Sequence, residues 1–230
     1  MENKNRHLSE FYPFVGLVLI SFVFHVPYEI PSVTIAIIKC LPILWLLLIL
    51  LHVRLLHSKQ ETPEKLQERR ILIISLIFSL IGDFTLVWKD YFIPGALSFA
   101  MAQVLMVCAF GFRHINWTIG MVLYTLAALG LSVILRGAPN MAMQAVVLFY
   151  TLLLVTMLWR SIDRALALQV TAETPRWYVW APVVGSVLFV ISDSAIGIFL
   201  FVVTVPHIVS QSIIIATYYT AQAFIVCGSL

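Results

Sequence analysis

Long apolar stretches follow one another along this chain, with only short polar turns between them. At about 20 apolar residues per membrane crossing, the pattern predicts helical spans at Phe11–Val26, Val33–Leu51, Ile71–Trp88, Ile93–Phe112, Ile115–Leu135, Met141–Trp159, Val179–Phe201 and His207–Gly228. The expected fold is therefore all-α: a polytopic bundle of eight transmembrane helices forming a single membrane domain over residues 1–230. The first span is the shortest, and Pro27 and Pro31 mark a tight turn after it. Pro42 removes a backbone donor inside the second span and predicts a kink there.

Composition agrees: 61% of the residues are hydrophobic and 11% charged, against roughly 45–50% and 25% in soluble domains. The longest polar interruption, His52 to Arg70, is too short to bury a core of its own. The first apolar run follows Lys4 and Arg6 without a small-residue cleavage site, so it reads as a retained signal anchor. Lys4, Arg6, Arg54, Lys59, Lys65, Arg69, Arg70, Arg113, Arg160, Arg164 and Arg176 fall on one side of the expected topology, against Lys89 and Arg136 on the other. The positive-inside rule then puts both termini in the cytoplasm and explains the net charge of +3 without nucleic acid. Asn116-Trp117-Thr118 matches a glycosylation acceptor, but on a cytoplasmic turn it should stay unmodified. Cys40, Cys108 and Cys227 read as packing residues rather than disulfides. Trp45, Trp88, Trp117, Trp159, Trp177 and Trp180 read mostly as interfacial anchors, and Gly120, Gly130, Gly185 and Gly197 as close-packing positions.

Against this background an intramembrane carboxylate stands out, because an Asp at a helix centre costs about 2.5–3.5 kcal/mol on insertion scales. Asp83 is one, and Asp193 repeats it. The text around Gln103, AQVLMVC, returns around Gln222 as AQAFIVC, which suggests a duplicated helix pair with repeats over 1–114 and 115–230. Counting along the helices puts Asp83 roughly 8 Å, Lys39 roughly 10 Å and Asp193 roughly 12 Å below the non-cytoplasmic surface. Gln103, Tyr218 and Gln222 lie deeper, at roughly 15–22 Å. Such a layer can be a neutralised packing network with Lys39 as counter-ion, or a polar cavity in which two carboxylates of unequal environment divide acid and base roles. Tyr218 and Tyr219 point about 100° apart, so one of them is expected to be structural. His7, His52, His57 and His114 sit in or beside cytoplasmic loops, with His25 and His207 near the opposite surface, so no zinc pair forms on one helix. Nor is there a phosphate loop, a dinucleotide fingerprint or a nucleophile elbow, and Ser192 and Ser194 lack a nearby His.

Five blocks in order, IIKCLP (37–42), SLIGDFTLVW (79–88), YFIPGALSFAMAQ (91–103), FVISDS (189–194) and TYYTAQ (217–222), resemble the lysoplasmalogenase family of eight-helix membrane proteins, also called YhhN-like. The resemblance implies an ether hydrolase, in the endoplasmic reticulum membrane of animal members, that cleaves the vinyl ether bond of lysoplasmalogens to a fatty aldehyde and glycerophosphoethanolamine or glycerophosphocholine. It implies no cofactor and no metal. Asp83 and Asp193 match the family's two membrane acids and are the expected catalytic pair, with Lys39, Gln103, Tyr218, Tyr219 and Gln222 as substrate-binding residues. One position departs from the pattern: the family commonly has Ala-His in the fourth helix, with a Tyr three residues on, where this chain has Ala102-Gln103 and Met106. Glutamine does not transfer a proton at neutral pH, so a catalytically impaired binding or regulatory protein is one alternative reading. Parallel repeats and intramembrane charges are also what carriers use, which makes a lipid or small-solute transporter another. The expected partners are a lysophospholipid substrate and membrane lipids, not nucleic acid, with a homodimer among the assemblies open to it.

Overall fold

Side-chain caps in the loops open four of the helices. In the computed structural model, which describes residues 10–26, 30–57, 62–171 and 176–230, the helices are α1 (Phe11–His25), α2 (Val33–His57), α3 (Pro63–Thr85), α4 (Phe92–Phe110), α5 (Trp117–Gly137), α6 (Met141–Thr171), α7 (Arg176–Phe201) and α8 (His207–Cys227). Ser32 Oγ accepts from Ile35 N at the start of α2, Thr62 Oγ1 from Lys65 N before α3, Asn116 Oδ1 from Thr118 N and Ile119 N before α5, and Asn140 Oδ1 from Met143 N before α6. Each satisfies an N–H that the helix itself leaves unpaired. α4 ends on Gly111, whose φ of 75° is the left-handed conformation that glycine adopts without strain. Among the described residues there is no strand. Lys4, Arg6, His7, Pro27 and Lys59 lie outside the described residues.

Six of the helical segments are long and apolar enough to cross a membrane: α2, α4 with the short 3₁₀ turn before it, α5, α6, α7 and α8. The chain is an integral, multi-pass membrane protein. The other two predicted spans come out differently. α1 carries only the shorter apolar stretch Phe11–Phe24. α3 starts at Pro63 rather than Ile71, because the Thr62 cap and Pro63 open the helix before its apolar part begins, and its first turns carry Glu64, Lys65, Glu68, Arg69 and Arg70. α2 continues through Pro42 to His57, and α6 runs on past Trp159 to Thr171.

The chain divides into two compact units, residues 1–105 with 229–230, and residues 106–228. In the first, α1 packs on α2 and α2 on α3, around fully buried Ile43, Leu46, Leu50, Leu72 and Leu76. Ser75 Oγ donates to the Ala102 carbonyl at 3.0 Å, and the buried Arg69 guanidinium donates through Nε to the Ser229 carbonyl at 2.9 Å. In the second, α5 packs on α6 and α7, α6 on α7 and, most extensively, α7 on α8. A methyl group at Gly185 would lie 2.6 Å from the Ala221 carbonyl oxygen, so the absent side chain sets how closely α7 and α8 approach. Gly120 likewise abuts Trp159, whereas Gly130 has nothing within 4 Å and is not a packing position.

Two residues counted as topological charges prove to be internal fasteners: Arg69 and Arg160 are each 1% exposed. Arg160 donates to the Gly111 and His114 carbonyls and to Asp163 Oδ2, at 2.8, 2.6 and 2.6 Å. The same Asp163 oxygen accepts from Asn116 N, while Trp159 Nε1 donates to the Asn116 carbonyl. The α4–α5 loop is thereby tied to α6. Asn116 is accordingly a helix cap, and Trp159 is a buried donor rather than an interfacial anchor. Trp117 and Trp177 are exposed, as anchors would be.

Candidate functional site

In the first unit, α2 and α3 bring Lys39 and Asp83 together: Lys39 Nζ lies 3.6 Å from Asp83 Oδ1, with 14% and 2% of the respective side chains exposed. Both sit among apolar residues, where each charge is tolerable because the other compensates it. The neighbouring Cys40 thiol is directed at the Leu80 carbonyl, 3.6 Å away. α3 and α4 run antiparallel, their register fixed by Ser75 on Ala102, Gly82 against the Phe99 ring and Gly95 against Leu86. Gln103 is therefore level with Ser75 and Leu76, about 10 Å along the helix axis from Asp83. Its side chain is 0% exposed.

In the second unit, Tyr150 on α6 donates its phenol to Asp193 Oδ2 at 2.5 Å. Asp193 is half-buried, so the two acids have unlike surroundings: Asp83 is enclosed beside an ammonium, and Asp193 is partly open beside a phenol. Ser192 Oγ donates to the Ile214 carbonyl across the α7–α8 contact at 3.2 Å. Tyr218 meets the Phe189 ring edge-on at 5.6 Å and Tyr219 at 5.3 Å, and both tyrosines are buried. Gln222 is also fully buried, level with Gly185 and about 12 Å along the axis from Asp193. Each unit thus sets an aspartate toward one end of an antiparallel helix pair and a buried glutamine toward the other.

The sequence reading did not include Tyr150. A phenol at mid-span in α6 is the signal that could have found it, since a buried hydroxyl requires a partner. Arg160 and Asp163 could have been paired by their spacing of three on one helix. Among the described residues no group of three His, Cys, Asp or Glu side chains is arranged to hold a metal.

The model of the YhhN family matches residues 34–229. The chain belongs to the YhhN family. That matched segment includes Lys39, Asp83, Gln103, Tyr150, Asp193, Tyr218, Tyr219 and Gln222, and leaves out α1. Within reach of this YhhN chain are curated relatives of nearly its own length. A Bos taurus protein named lysoplasmalogenase TMEM86A is 33% identical over 224 residues, 95% of this chain and 87% of its own. Homo sapiens lysoplasmalogenase TMEM86A is 30% identical over 222 residues, with 95% and 87% covered. Homo sapiens lysoplasmalogenase TMEM86B is 30% identical over 221 residues, with 95% and 85% covered. No solved structure matches this YhhN chain.

Proposed function

We propose that this protein is a membrane-embedded lysoplasmalogenase, hydrolysing the vinyl ether bond of a lysoplasmalogen to a fatty aldehyde and the corresponding glycerophospho-base. The names of its relatives support the substrate class. The observation that carries the chemistry is the pair of aspartates with unlike partners, Asp83 with Lys39 and Asp193 with Tyr150.

Vinyl ether hydrolysis needs a proton on the carbon β to oxygen, which leaves an oxocarbenium ion at the carbon bearing oxygen. Water adds there and loses a proton, which balances the one spent on carbon; the hemiacetal then breaks its bond to the glycerol oxygen, which takes up the hydroxyl proton as the aldehyde leaves. A carboxylic acid and a carboxylate suffice, as in glycoside hydrolysis. Lys39 gives Asp83 a counter-charge, so Asp83 takes the anionic role of stabilising the cation and receiving a proton from water. Asp193, held by a neutral phenol, takes the role of proton donor, and Tyr150 orients it. Tyr218, Tyr219 and Gln222 serve substrate binding in this reading, and Lys39 acts through Asp83.

The same reading has eight crossings, both termini cytoplasmic, an endoplasmic reticulum location and a duplicated helix pair behind the AQVLMVC and AQAFIVC segments. Labelling of single cysteines introduced in the loops tests the topology. The activity is tested by aldehyde release from lysoplasmenyl-ethanolamine by purified protein, with Asp83→Asn and Asp193→Asn each expected to lower the rate by about 10²-fold or more. A wild-type protein that binds the lipid and releases no aldehyde is a binding protein, and the enzymatic reading then fails.

A further inference from the structure

Gln103 differs from the other buried polar side chains of its unit. Ser75 donates to a carbonyl, Arg69 to another, and Asp83 faces Lys39. The Gln103 amide is 0% exposed, yet neither its Nε2 nor its Oε1 meets a hydrogen-bond partner among the described residues. A buried amide with both ends unsatisfied is unfavourable for folding alone, and native proteins keep such groups where a ligand or water completes them.

Position and chemistry narrow what completes this one. Gln103 is about 10 Å along the axis from Asp83, but Cβ atoms tilt toward a helix's N-terminus. On antiparallel α3 and α4 the Asp83 side chain therefore leans toward the level of Gln103, and Gln103 toward the level of Asp83. The amide presents one donor and one acceptor side by side, so its complement is an acceptor and a donor on adjacent atoms.

Resting on the lysolipid reading above, we infer that Gln103 recognises the vicinal ether oxygen and free hydroxyl of the lysolipid glycerol. Nε2–H donates to the ether oxygen at the first carbon, and the hydroxyl at the second carbon donates to Oε1. Acylation of that hydroxyl removes the donor and leaves Oε1 buried without a bond, so this residue selects lysolipids over their two-chain parents.

The test uses a ligand the enzyme cannot turn over. Binding of saturated 1-O-hexadecyl-glycerophosphoethanolamine and its 2-deoxy analogue is measured on the full-length protein in nanodiscs. Wild type is expected to bind the hydroxyl-bearing lipid about 10- to 100-fold more tightly. Gln103→Met is expected to bind both equally weakly. Gln103→Asn, which withdraws the amide by one carbon, should also lose the difference and serves if the Met variant does not fold. Equal binding of the two lipids by wild type overturns the inference, as does a folded Gln103→Met protein that still discriminates, since the amide would then be satisfied by something other than the hydroxyl. If wild type discriminates but releases no aldehyde from the vinyl ether lipid, the recognition stands and the hydrolase reading alone fails.

Discussion

Removing one partner of the Lys39–Asp83 pair should be worse than removing both. At 3.6 Å, with Asp83 almost fully enclosed, each charge compensates the other in a place where neither is well solvated. Lys39→Met takes the counter-charge from a buried carboxylate and is expected to lower stability by about 3–5 kcal/mol. Lys39→Met combined with Asp83→Asn should recover most of that loss, although without activity. Thermal unfolding in detergent compares the two, and a double variant less stable than the single one would show that the pair does not act as a unit. Tyr150→Phe removes the hydroxyl that donates to Asp193 while keeping the ring, and is expected to lower aldehyde release about tenfold with unfolding temperature nearly unchanged. If Tyr150 only fills space, the rate will not change. Asp83, Asp193 and Lys39 were legible in the sequence because a charge in an apolar run is rare and costly. Tyr150 was not, because a tyrosine belongs equally well to an apolar core or to a polar site, and only its neighbour decides which.

Helix ends and helix contacts carry the next level of organisation. The Ser32, Thr62, Asn116 and Asn140 caps each satisfy the first N–H groups of a helix locally, although hydrophobic periodicity does not register them. Hydropathy alone misplaced the start of α3, because it registers the apolar part of a helix and not its charged first turns. Contact partners were harder to read. Gly185 and Gly130 look alike in sequence, yet one abuts the Ala221 carbonyl and the other nothing. Gly185→Val should force α7 from α8 and destabilise the second unit by at least about 1–3 kcal/mol. Gly130→Ala should be neutral or stabilising by up to about 1 kcal/mol through helix propensity. Equal unfolding temperatures for the two variants would refute the close-contact argument. Arg160 offers a similar contrast with the sequence reading: as a counted charge it would be replaceable, but it spans the Gly111 and His114 carbonyls and Asp163. Arg160→Met is expected to cost about 3–5 kcal/mol by leaving the buried Asp163 carboxylate without its counter-charge, which chemical denaturation of the purified protein can measure.

For the whole molecule, the membrane is the dominant constraint: without water, backbone groups must be satisfied within each segment, so apolar runs of this length become helices whatever their tertiary neighbours. The exposed apolar face of α5, with Met121, Val122, Leu126, Leu129 and Val133, is the surface such a protein presents to lipid. A cysteine introduced at His114 should react only after the cytoplasmic face is opened to a membrane-impermeant label, and one at Asn140 before it. The reverse pattern would invert the topology. The bias of basic residues behind that orientation survives without Arg69 and Arg160, which are buried. The sequence by itself determined the all-helical class, the approximate spans, the family and the costly charges, because each depends on hydrophobicity, capping or residue type along a single segment. Only the tertiary structure decided that Lys39 serves Asp83, that Tyr150 serves Asp193, that Asn116 and Arg160 hold a loop, and that the Gln103 amide is buried with neither end bonded to a described residue. Those facts depend on the register of helices far apart in sequence, and hydrophobic periodicity within one helix carries no record of which turn of a neighbour it will meet.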